Sequence, residues 1–182
     1  MLFYIFRHGE TDGNVRNLVQ GAGVDLPLNE NWRRQAAELR DTFAPLKFPV
    51  IYSSHMIRAV ETAEFVAEGS NARVVILDGL EEIHFGKAEG MLSDEAKTLY
   101  KDLFDIINDA SHPEYMDTHL PGGETVRESI ARSLKAFDYI KKYHCEDRAA
   151  VATHGGLMFN LYQHFFGLRR KFANCDYFVV NL

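Results

Sequence analysis

The chain has 182 residues, 46% of them hydrophobic and 25% charged, which suits one globular domain with a substantial core. A net charge of −6 and the lack of a basic stripe exclude a broad nucleic-acid-binding surface, so any cationic cluster is local and its partner a small anion. No apolar stretch approaches the ~20 residues of a membrane span, and the N-terminus lacks the grammar of a signal peptide. Both features point to a cytoplasmic protein without membrane contact. Cys145 and Cys175 have no motif spacing and read as two reduced thiols.

Leu2 to Phe6 is an unbroken apolar run, the pattern of a central strand buried on both faces, and it ends abruptly in Arg7, His8 and Gly9. A Gly/Asn-rich loop follows, from Gly9 to about Asn31. Trp32, Ala36, Leu39 and Phe43 then recur at helical spacing, and Pro45 and Pro49 mark the end of that helix. Val50 to Tyr52 is a short strand, after which Ser53 or Ser54 is placed to cap a helix through Val60, Ala63 and Val66. Val74 to Leu77 is another β-rich run.

Downstream, the spacing predicts a helix from Ser93 to Ile107 with Leu99, Leu103 and Ile107 on one face. Asn108 to Gly123 is a long polar loop. Val126, Ile130, Leu134 and Phe137 mark another helix. Ala149 to Thr153 is a β-type run, followed by a helix from about Leu157 to Phe166 and a terminal strand in CDYFVVNL. There is no internal repeat and no linker. Strands alternating with helices predict a three-layer α/β/α sandwich around a mostly parallel sheet, over residues 1–182 as one domain.

The strand ending at Thr153 repeats the grammar of the first, because His154, Gly155 and Gly156 follow it directly. Functional groups gather at the carboxyl ends of parallel strands. Two histidines in matched strand-His-Gly settings are compatible with one pocket. The glycines and the helix start behind them offer backbone N–H groups to an anion. Arg7 and His8 reach one ligand only if the backbone leaves the extended form there, a departure assigned to Gly9.

RHGETDGN at Arg7–Asn14 resembles the signature of the histidine phosphatase superfamily, with its phosphoglycerate mutase-like fold. Further blocks match in order: QGAGVDLPL, IYSSHMIRAVETA, LEEIHFGKAEG, PGGET and VATHGG. The resemblance implies a metal-independent phosphomonoesterase acting on a small-molecule phosphate ester, with no cofactor. In it His8 is the nucleophile, Arg7 and Arg58 grip the phosphoryl oxygens, His154 is a second phosphate-binding histidine, and Glu82 is the general acid. Residue chemistry agrees, since adjacent guanidinium groups lower the pKa of His8 and keep it neutral for attack. His154 is expected to be an imidazolium when the anion is bound. Asn14, Thr11, Gln20, Gly21 and Gly155 are the substrate-side candidates.

Residues 91–120 form a lid-like insertion by the same resemblance. That segment holds Lys97 and Lys101 but no arginine, whereas the mutases of the family place arginines there. This favours a phosphatase over a phosphoglycerate mutase, while the presence of every expected catalytic residue type weighs against a silent phosphate-binding relative; a phosphoprotein phosphatase is the less favoured alternative for the substrate. Trp32 stands where the family usually has glycine, a change that bears on helix packing. The Tyr177 to Val180 strand, if left at a sheet edge, would allow a homodimer.

Overall fold

The structure, a computed structural model, describes residues 1–182. Strands β1 (Leu2–Arg7), β2 (Val50–Ser53), β3 (Arg73–Ile76), β4 (Arg148–Thr153) and β5 (Tyr177–Asn181) form one sheet in the order β3-β2-β4-β1-β5. All pairings are parallel except that of β1 with β5. Helices α1 (Asp12–Val15), α2 (Trp32–Phe43), α3 (Ile57–Glu68), α4 (Ser93–Leu99), α5 (Lys101–Ile107), α6 (Val126–Tyr143) and α7 (Gly155–Phe166) complete the chain. None is long and apolar enough to cross a membrane.

Two cores flank the sheet, and strand periodicity sorts residues between them. Successive side chains on a strand point to opposite faces. Phe3 and Ile5 of β1, with Ala149 and Val151 of β4, therefore join Phe137 and Ile140 of α6 and Leu157 and Leu161 of α7. Phe6, Ala150 and Ala152 face the other way, onto Leu39 and Phe43 of α2 and Ala63 and Val66 of α3. Both faces of the central strands are covered, as the unbroken apolar runs required. Each fully buried phenylalanine here contributes roughly 2–3 kcal/mol.

Three local expectations change. The helix expected from Ser93 to Ile107 is broken at Tyr100 (φ −114°, ψ 35°), which separates α4 from α5. The break turns Tyr100, Leu103, Phe104 and Ile107 onto Ala88, Ala96 and Leu120, whereas Leu99, expected inside, is 62% exposed. Neither Ser53 nor Ser54 caps α3. The Asp25 carboxylate takes the Ile57 N–H at 3.0 Å instead. Finally, Gly9 has no left-handed φ. A Cβ there would stand 3.0 Å from Trp32 Cβ, so Gly9 serves close packing against α2 and not a turn.

Candidate active site

The parallel register of β1 and β4 pairs Arg7 with Thr153, so the next residues, His8 and His154, emerge side by side at the carboxyl edge. Their ring centroids are 5.2 Å apart, and the His8 N–H continues the ladder to the Thr153 carbonyl at 3.0 Å. Both rings are buried. His8 Nδ1 lies 2.6 Å from the Gly9 carbonyl oxygen. A carbonyl only accepts, so Nδ1 carries a proton and Nε2, without a partner in the protein, keeps its lone pair.

Two guanidinium groups flank this imidazole. Arg7 donates from Nη1 to the Phe172 carbonyl at 2.7 Å. Arg58, on the first turn of α3, donates to the Val24 and Gly21 carbonyls at 2.9 Å each and pairs with Asp25. These bonds fix both arginines but leave the Nε of each buried without an acceptor, and His154 Nδ1 is orphaned in the same way. Unpaired buried donors are uncommon and call for a ligand or a solvent molecule. Arg7 and Arg58 line one cavity with His8, and the His154 ring packs against His8 without lining that cavity, so two unpaired guanidinium donors beside a neutral histidine offer a place for a compact anion.

Burial and the two neighbouring guanidinium groups push the pKa of His8 well below its ordinary value of 6.5. Burial and then Arg58 do the same for His154. The sign for stability follows. Below about 6.5 the unfolded chain protonates both rings while the folded site does not, so stability falls as pH falls. Between pH 7.5 and 5.5 the expected loss is about 1.4 kcal/mol for each histidine, and it steepens toward about 1.4 kcal/mol per pH unit below that window. Urea midpoints between pH 7.5 and 5.5 measure it, and His154→Gln should remove roughly half of it. An unchanged slope in that variant would mean the ring is accommodated charged.

Glu82 is 9% exposed and is held by α7. Its Oε1 accepts from the Ile83 and Leu157 N–H groups at 2.9 and 2.8 Å, and its Oε2 from Gly156 N–H at 2.9 Å. The helix start that the sequence offered to an anion thus serves Glu82 first, a favourable place for a negative charge. Gly155 and Gly156 permit this, because a Cβ at Gly155 would stand 3.0 Å from Arg7 Nε and one at Gly156 2.7 Å from Glu82 Oε1. Gly156→Ala should therefore displace the carboxylate and lower activity while leaving the fold in place, as circular dichroism would read.

The other sequence candidates divide. Asn14, Gln20, Gly21 and Gly155 line a cavity of about 420 Å³ together with Arg7, His8, Arg58 and Glu82. Asn14 Oδ1 accepts from Thr11 and Asn174, which leaves its Nδ2 without a partner in the protein. Gly21 has a φ of +58°, and the Glu89 carboxylate fills the space that a Cβ there would take. Thr11 does not line the cavity. It is fully buried, caps α1, and its hydroxyl reaches Gln20 at 3.0 Å, so it acts by holding the loop.

Sequence reasoning missed four residues. Ser54 meets His154, Asn174 donates to the His8 carbonyl at 3.1 Å, and Arg132 of α6 clasps the Gly79, Glu81 and Glu82 carbonyls. Lys171, in the loop after α7, lines the cavity. Only the Arg169-Arg170-Lys171 run carried any signal. Cys145 is exposed and Cys175 buried, and both are free. No cluster of three or more His, Cys, Asp or Glu side chains is placed to hold a metal ion.

Comparison with known proteins matches residues 3–179 to the histidine phosphatase superfamily (branch 1). The chain is 33% identical over 150 residues to fructose-2,6-bisphosphatase TIGAR of Xenopus tropicalis, covering 80% of this chain and 52% of that protein. It is 31% identical over 164 residues to a metal-independent phosphoserine phosphatase of Arabidopsis thaliana, covering 87% of this chain and 66% of that protein. The chain thus spans about half to two thirds of these relatives. Among solved structures it resembles Bacillus stearothermophilus YhfR, with a TM-score of 0.87 at 29% identity, over 100% of this chain and 91% of that one.

Proposed function

Because the chain belongs to the histidine phosphatase superfamily, branch 1, we propose that it is a metal-independent phosphomonoesterase of the cytoplasm that works through a phosphohistidine on His8. One observation carries the reading: two buried guanidinium groups, each with an unpartnered Nε, share a cavity with a neutral imidazole whose Nδ1 is committed to the Gly9 carbonyl, and a second histidine with an unpartnered Nδ1 packs against that imidazole.

In this reading Arg7, Arg58, His154 and Asn14 hold the non-bridging oxygens of the ester. His8 Nε2 attacks phosphorus, an N–P bond forms, and the bond to the alcohol oxygen breaks. Glu82 supplies the proton that the departing alkoxide takes up, and Oε2, which accepts a single N–H, has a lone pair to carry it. Water then attacks the phosphohistidine and gives its proton to Glu82. Inorganic phosphate leaves and His8 is restored. Preorganised cations and N–H donors stabilise the charge on the transferring group throughout.

Residues 91–120 act as a lid-like insertion within a single domain, since Ser93, Phe104 and Asn108 stand at the cavity wall. The cavity is far larger than a phosphoryl group requires, which fits a small-molecule ester. Phe85, Phe104, Phe159 and Phe172 give it apolar walls, and Lys171 adds a cation besides Arg7 and Arg58. The substrates named for the two relatives each carry a second ionised group. Lys171→Met should accordingly raise KM about fivefold for esters with such a group and leave p-nitrophenyl phosphate unchanged.

Phosphate release from a panel of phosphomonoesters in EDTA, with His8→Ala as control, tests the whole proposal. Chelator-resistant release that disappears in the variant is expected. Absence of release from every ester, with turnover of a primed phosphoglycerate, would replace it with the mutase reading.

A further inference from the structure

Ser54 follows β2, and its N–H continues the sheet to the Ala152 carbonyl at 3.2 Å, which sets it beside the end of β4. Its hydroxyl oxygen is 2.7 Å from His154 Nε2, and both residues are fully buried. That oxygen also accepts the Met56 N–H at 3.3 Å. The opposite ring nitrogen, Nδ1, is buried without a partner, in a ring 5.2 Å from that of His8.

Hydrogen-bond accounting decides where the proton sits. Were Nε2 protonated, it would donate to Ser54 Oγ, and the serine O–H would be left in the interior with no acceptor. An unsatisfied buried hydroxyl costs about 1–3 kcal/mol. A neutral ring of that kind would also aim a lone pair from Nδ1 at an incoming anion. With the serine donating to Nε2, the serine and Nε2 are both satisfied, Met56 N–H to Oγ and Oγ–H to Nε2, and the one unpaired donor left is Nδ1–H, which a bound anion would accept from.

We infer that Ser54 is a positioning residue that fixes His154 as a neutral imidazole with its proton on Nδ1, so that the second histidine meets a phosphoryl oxygen as an uncharged N–H donor. The inference rests on reading the cavity at His8 as the phosphoryl site, and it replaces the imidazolium expected from the sequence. The surroundings act in the same direction. His8 and Arg7 face the ring from the end of β1, Arg58 from α3 and Arg132 from α6. The nearby carboxylate, Glu82, is shared among three backbone N–H donors. Two fixed guanidinium charges already complement the phosphate, and a third buried cation would have to be desolvated beside them. A neutral donor also releases the product anion more readily than an imidazolium would.

Long-range ¹H–¹⁵N spectra of the full chain with ¹⁵N-histidine, free and with inorganic phosphate, read the tautomer directly, with His154→Gln assigning the signal. The expected result is Nε2 unprotonated and Nδ1 protonated from pH 6 to 8, with the Nδ1–H resonance moving when phosphate is added. Ser54→Ala should mix the tautomers and shift the acid limb of kcat/KM, and Ser54→Thr, which restores a hydroxyl, should return both toward wild type. A wild-type ring protonated on Nε2, alone or together with Nδ1, overturns the inference whether or not the variants fold. If phosphate moves neither histidine, the phosphoryl-site reading fails, while the tautomer of the free protein still decides the role of Ser54.

Discussion

His8→Ala should lower turnover of every ester by at least about a thousandfold, because removal of a nucleophile eliminates the covalent route and leaves only binding and electrostatic stabilisation. The fold should survive. His8 lies at the end of β1, and the ladder that places it uses its backbone N–H and carbonyl, which alanine retains. Thermal unfolding of the variant is therefore expected within a few degrees of wild type. Phosphate should still bind, since Arg7, Arg58 and His154 keep their supports. A radiolabelled ester should give acid-labile label on wild type and none on the variant. Full activity in His8→Ala would falsify the covalent mechanism outright.

Much of this arrangement was legible because the functional groups sit where strand patterns end. Apolar runs terminating in Arg7-His8-Gly9 and Thr153-His154-Gly155 identify two carboxyl edges of a parallel sheet, and the resemblance of the surrounding motifs adds Arg58 and Glu82. The sequence does not reveal that β1 and β4 are neighbours in a register that puts His8 next to His154. That adjacency is a long-range pairing across more than a hundred residues, and local periodicity carries no trace of it.

The misread features share this origin. Ser54 has the chemistry of a helix cap and is used against a histidine on the next strand, while Asp25 caps α3 from a distant loop. The α7 start has the pattern of an anion site, and a carboxylate from the Leu80–Gly90 loop occupies it. The helix after Ser93 breaks at Tyr100 because the apolar cluster around Ala88 and Leu120 rewards that turn, a tertiary preference that helical spacing alone does not register. In each case a local propensity is correct about the residue type and wrong about the partner.

Glu82→Gln should separate esters by their leaving groups. For an alkyl phosphate, whose alkoxide departs only with a proton, kcat/KM should fall roughly 10²- to 10⁴-fold. For p-nitrophenyl phosphate, whose leaving group needs no proton, the same constant should change little. The choice of kcat/KM matters, because it covers binding and cleavage but not hydrolysis of the phosphohistidine, where Glu82 would serve as base for both substrates alike.

Glutamine is a close test of position as well as of charge. Its amide oxygen can keep the bonds from Ile83 and Leu157, while its amide nitrogen must face the Gly156 N–H and leaves that donor unsatisfied, at a cost of about 1 kcal/mol. A loss of that size in folding stability, with an unchanged fold, is therefore built into the variant and is independent of the ester used. The proton-transfer contribution is read from the ratio of the kcat/KM losses on the two esters. A leaving-group dependence supports Glu82 as the acid that completes ester cleavage. Equal losses on both esters would show that Glu82 only braces the start of α7 and that the alkoxide takes its proton from another donor in the cavity.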